Sequence, residues 1–122
     1  MGNEFTQKPG VSNRIEVYKI TSGSIAASGS YTSDAICLHG RAGIFSVHYT
    51  VAGAGTCKLE YLVSADNVTF VKPSAASDIA TGKTAGNYVD SFKPVLGLYI
   101  KIKASETGGA QAITVVAHVC IQ

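Results

Sequence analysis

The sequence predicts an all-β protein: an antiparallel β-sandwich of jelly-roll or Greek-key type with about eight to nine strands. Three observations predict it. Apolar and polar residues alternate in the closing runs: Leu98, Ile100, Ile102 and Ala104, then Ile113, Val115, Ala117, Val119 and Ile121. A period of two is that of a strand with one buried face. Gly- and Ser-rich turns separate such runs throughout the chain. Residues 75–85 are the sole candidate for a helix, and Gly82 and Gly86 limit it.

The elements follow in order. Residues 1–13 are polar, with Pro9 and Gly10 near the middle, and are expected to be a flexible arm ahead of one domain, 14–122. Arg14 to Thr21 is the first strand. Ser30 to His39 is the second, with Ile36 and Leu38 on one face. Gly40–Gly43 is a tight turn. In Ile44 to Val51, Phe45, Val47, Tyr49 and Val51 face one way. After a turn at Ala52–Gly55, Thr56 to Ser64 turns Cys57, Leu59, Tyr61 and Val63 inward. Asp66 and Asn67 form a turn because both tolerate left-handed backbone angles. Thr69 to Lys72 pairs back, with Phe70 as its anchor. Residues 73–87 are a loop with one short edge strand, and Tyr88 to Phe92 is a strand that ends before Pro94. The two closing runs are read as a hairpin through Thr107, Gly108 and Gly109.

Composition narrows the function classes. Apolar residues make up 46% and charged residues only 15% of the 122-residue chain, below the usual quarter. Part of such a surface is expected to be covered by neighbouring subunits. The net charge of +2 is too mild for the basic footprint of a nucleic-acid binder. No apolar run reaches the ~18 residues of a membrane span. The N-terminus carries no apolar segment of the secretory kind. With three cysteines, Cys37, Cys57 and Cys120, the expectation is a reducing compartment and no disulfide framework.

Catalytic motifs fail individually. Gly82, Lys83 and Thr84 resemble the end of a phosphate-binding loop, but Ser77 stands where its first glycine belongs. No Gly-x-Ser-x-Gly elbow is present. Asp34, Asp66, Asp78 and Asp90 all fall in or near turns, where aspartate serves local hydrogen bonding. The expectation is no enzyme and no cofactor. Cys37 with His39, and His118 with Cys120, each put a thiol and an imidazole on one strand face. Were those strands neighbours, four soft ligands would converge on a tetrahedral zinc. Both pairs lie opposite the core faces, and cysteine is also a common small apolar strand residue. Tyr31, Tyr49, Tyr61, Tyr88 and Tyr99 with Phe70 offer either a sugar-stacking platform or ordinary strand packing.

Cys57 to Phe70, a strand followed by Ser64, Asp66, Asn67 and Phe70, resembles a hairpin of many short phage structural proteins, with Asn67 where glycine is commoner. Phe92 to Pro94, Tyr99 to Lys103 and the ending at Ile121 and Gln122 are similar to the tail of the same group. That group comprises small all-β virion components of tailed bacteriophages: capsid decoration and minor capsid proteins. The resemblance implies a homo-oligomer, often a trimer, bound to the capsid or another virion protein. It implies localisation in the virion after synthesis in the host cytoplasm. It supplies no catalytic residues. The alternatives are a carbohydrate- or ligand-binding module and a small enzyme with its site at a subunit boundary.

Overall fold

A computed structural model describes residues 15–38, 41, 43–74, 76–95 and 97–121. The expected arm, 1–13, lies outside the described residues, as does His39. The described residues form nine strands and no helix: β1 (Glu16–Ile25), β2 (Ser30–Thr32), β3 (Ile36–Cys37), β4 (Phe45–Gly53), β5 (Cys57–Ser64), β6 (Ala80–Lys83), β7 (Gly86–Phe92), β8 (Tyr99–Glu106) and β9 (Ile113–Ile121).

Two antiparallel sheets face each other. One has the order β1-β9-β4-β7, and the other β2-β8-β5-β6 with β3 also on β8. The segment predicted as one strand over 30–39 is interrupted. Ser30 pairs with Ser105, whereas Ile36 pairs with Ile100, so one extra residue is accommodated between them. Ser33 keeps the break closed: its amide donates to the Ile102 carbonyl at 2.9 Å and its hydroxyl accepts from the Ile102 amide at 3.0 Å. With β2 and β3 counted as one strand, the order is that of an eight-stranded jelly roll.

The core lies between the sheets and takes alternate residues from each. Phe45, Val47, Tyr49 and Val51 on β4 and Ile113 to Ile121 on β9 meet Cys57, Leu59 and Tyr61 on β5 and Ile100, Ile102 and Ala104 on β8. The inward faces predicted for β4 and for most of β5 are those observed. Val63, expected inward, is only partly buried at the end of β5.

The predicted closing hairpin is not there. β8 pairs with β5, β2 and β3, and β9 pairs with β1 and β4. Thr107 to Ala112 instead crosses from one sheet to the other. Alternation reports one buried face per strand. Two strands that face each other across a core show the same pattern as two that lie side by side. Glu106 supplies the local reason for the crossing. Glu106 is 2% exposed, and its carboxylate accepts from four backbone amides: Gly108 at 2.7 Å, Gly109 at 2.8 Å, Ser28 at 2.9 Å and Thr56 at 2.9 Å. Three connections at one end of the sandwich are thereby tied to one side chain. The neighbouring crossing from β4 to β5 packs against this one. Gly53 has φ 101 there, and a Cβ on it would sit 2.6 Å from the Ala112 carbonyl oxygen.

The Asp66–Asn67 turn forms as expected, with Asn67 at φ 60. Asp66 Oδ1 accepts from the Val68 amide at 2.9 Å and the Thr69 amide at 3.0 Å. The returning segment pairs only at Val71, opposite Val63.

Candidate interaction surface

The outward residues of the two sheets differ in chemistry. On β8 and β5 they include Lys101, Lys103, Lys58 and Glu60. Lys72 bridges Glu60 at 2.8 Å and Asp78 at 2.5 Å. These two carboxylates, Asp78 first, raise the Lys72 pKa above the usual lysine range. Lys101 lies 4.3 Å from the Phe70 ring centroid, so Phe70 anchors the returning segment over this face.

The outer face of β1-β9-β4-β7 is nearly free of charge. Strand register sets its side chains in cross-strand rows. Val17, Cys120, Ser46 and Ser91 form one row; Lys19, His118, His48 and Val89 the next; Thr21, Val116, Thr50 and Asn87 a third. Lys19 is the only lysine, arginine or carboxylate among them. Val17 is 55% exposed and Val89 62% exposed. Thr21, Val116 and Thr50 add three β-branched side chains, and the Thr50 hydroxyl donates to Asn87 Oδ1 at 2.7 Å. A shallow depression of about 290 Å³ lies among His48, Thr50, Asn87, Val89, Val116 and His118.

This sheet is braced from beneath. The Tyr49 hydroxyl donates to Asp90 Oδ2 at 2.6 Å, joining β4 to β7. Its ring stacks on Tyr88 at 5.3 Å. Burial and the Asp90 hydrogen bond together raise the Tyr49 pKa far above the ordinary tyrosine value. Phe45 and Phe92 meet edge to face at 5.8 Å, and Phe92 lies 5.3 Å from Tyr61 of the other sheet.

Of the predicted ligands, Cys37 lies in one sheet and His118 and Cys120 in the other. Cys37 lies on β3 beside Tyr99, whereas His118 and Cys120 lie on β9. β3, which carries Cys37, and β9 are not neighbouring strands, whereas the expectation needed the two pairs side by side. His39 lies outside the described residues. Among the described residues, no three metal-ligating side chains converge. Burial pushes the Cys57 thiol up to about 11, away from reactivity. What sequence reading missed is His48. Register places it directly opposite His118, a pairing that spacing within one strand cannot reveal.

The aromatic residues do not form a platform. Tyr49 and Tyr61 are core residues, and Tyr31 and Tyr88 pack against the core. Tyr99 faces outward from the other sheet. Gly82 and Lys83 lie on the short edge strand β6, with β7 rather than a helix after them.

No family model and no curated protein matches the chain. Solved structures do. The crystal structure of PirA is similar at a TM-score of 0.51 and 12% identity, over 95% of this chain and 100% of that one. The VP2 subviral particle of infectious bursal disease virus gives a TM-score of 0.49 and 14% identity, over 98% of this chain and 37% of that one. This chain thus spans little more than a third of that capsid protein chain. The Yersinia pseudotuberculosis-derived mitogen gives 0.43 and 11%, over 88% of this chain and 85% of that one. At such identities likeness shows architecture alone, and jelly rolls serve many functions. The chain has the β-sandwich fold that PirA shares.

Proposed function

We propose that this chain is a non-enzymatic structural protein that self-assembles through the outer face of β1-β9-β4-β7. The carrying observation is that face: four strands wide, rich in valine and threonine, with Lys19 as its one formal charge. Exposed apolar surface flanked by polar side chains marks contact surfaces. Four strands spaced about 4.8 Å apart and some seven residues long give a projected footprint on the order of 450 Å². A standard stable interface buries about 800 Å² of accessible surface per partner. The face is within a factor of two of that before any contribution from residues 1–13.

The finer reading draws on the resemblance of Cys57 to Phe70 and of the closing strands to phage virion proteins. It is a capsid decoration or minor capsid protein of a tailed bacteriophage, present in the virion as a homo-oligomer such as a trimer. Each copy would bury this face on a neighbour or on the shell and so raise the barrier to shell opening. Residues 1–13 would reach an adjacent subunit and order there.

The test is Val89→Lys, which puts a charge in the middle row of the face, on its edge strand β7, where Val89 is already exposed. The expected outcome is loss of assembly with the β-fold retained, read from an unchanged circular dichroism spectrum. Removal of residues 1–13 should weaken assembly and leave the sandwich folded. Assembly that survives Val89→Lys rejects the proposed face, and assembly unchanged by removal of residues 1–13 rejects the role given to them.

A further inference from the structure

His48 and His118 are directly opposite each other on β4 and β9, and both line the depression on the outer face. Among the described residues, neither imidazole has a hydrogen-bond or ion-pair partner. The geometry points to a two-imidazole site for a borderline transition-metal cation, of the Zn²⁺, Ni²⁺ or Cu²⁺ class.

Opposite residues of an antiparallel pair have Cβ atoms about 4.5–5.5 Å apart. An ion bound by two imidazoles sits about 2.0–2.1 Å from each nitrogen. Two histidine side chains that lean together from such a separation can meet that requirement. Both side chains project from the outer face into the depression rather than into the packed core. Neutral imidazole nitrogen offers a lone pair that suits these cations, whereas Mg²⁺ and Ca²⁺ prefer oxygen.

The surroundings define the site further. Lys19 on β1 lies opposite His118 on its other side, and its long exposed stem lets the ammonium turn away from a bound cation. Val89 on β7 lies opposite His48 and offers no ligand. Cys120 shares the outer face of β9 but lies opposite Ser46, one row from the pair. Two protein ligands leave further coordination positions for water or for a ligand from a neighbouring molecule. The imidazoles must be neutral to bind, so acid releases the ion.

Calorimetric titration of the full chain with ZnCl₂ or NiCl₂ tests the assignment. One ion per chain is expected. His48→Ala and His118→Ala should each weaken binding about tenfold or more. His39→Ala and Cys120→Ser should leave it unchanged. Thermal midpoints in chelator should match the parent for all four variants, which separates ligand loss from misfolding. Absence of saturable binding overturns the site. So does binding that survives either His48→Ala or His118→Ala, or that is lost in His39→Ala or Cys120→Ser.

Discussion

Replacing Phe45 by alanine tests how the two sheets are joined. Phe45 on β4 is 0% exposed. It meets Phe92 of β7 edge to face at 5.8 Å, and Phe92 lies 5.3 Å from Tyr61 of β5. The aromatic chain therefore links both sheets at the end of the sandwich opposite Glu106. Truncating a buried phenylalanine costs about 3–5 kcal/mol, from lost transfer energy and the cavity left behind. The aromatic pair adds about 0.5–1.5 kcal/mol that a cycle with Phe92→Leu should isolate. Against a total stability on the order of 5–15 kcal/mol, the single change removes a large share. In urea, with a slope of about 2 kcal/mol per molar, the midpoint should fall by about 2 M. A loss below about 1 kcal/mol, or no coupling to Phe92, would refute the placement of Phe45 in a core shared by both sheets.

Other outcomes follow from the polar anchors. Four backbone amides hold the Glu106 carboxyl at about 2, below its ordinary 4.5, with Thr56 and Ser28 the leading contributors. A depressed carboxyl stabilises the folded state fully above the unfolded value and loses that contribution as pH falls through the folded one. Acid unfolding should therefore steepen between pH 4.5 and about 2, and Glu106→Gln should lower stability at neutral pH and flatten that slope; a parent-like acid profile in Glu106→Gln would count against the anchor. Tyr49→Phe keeps the ring against Tyr88 and removes one hydrogen bond to Asp90. It should cost about 1.5 kcal/mol in chemical denaturation, and Asp90→Asn should reduce that cost.

How much of this was legible follows from what each signal reports. Alternation marked the inward faces of β4 and β9 and most of β5 because burial of one face is a property of a single strand. Asn67 was legible because a left-handed turn has its own residue preference. Partner choice was not legible. Leu98 to Ala104 and Ile113 to Ile121 satisfy the same pattern whether paired or facing, and Thr107–Gly109 suits a hairpin as well as a crossing. Glu106 decides between them, through amides from connections that begin 78 residues away at Ser28. The break at Ser33 was hidden for a related reason, since Ser33 bonds to Ile102 and its own neighbours give no warning. The interaction face was visible only as low overall charge. It took strand order to show that Lys19 alone falls on one side, and cross-strand register to bring His48 to His118.

The central claim is self-assembly through the outer face of β1-β9-β4-β7, and its most direct measurement is the solution mass of the purified chain. Light scattering behind a sizing column should give a closed oligomer of fixed size, and Val89→Lys should convert it to monomer without unfolding. A monomer at every concentration, or an oligomer indifferent to charge at Val89, would contradict the account.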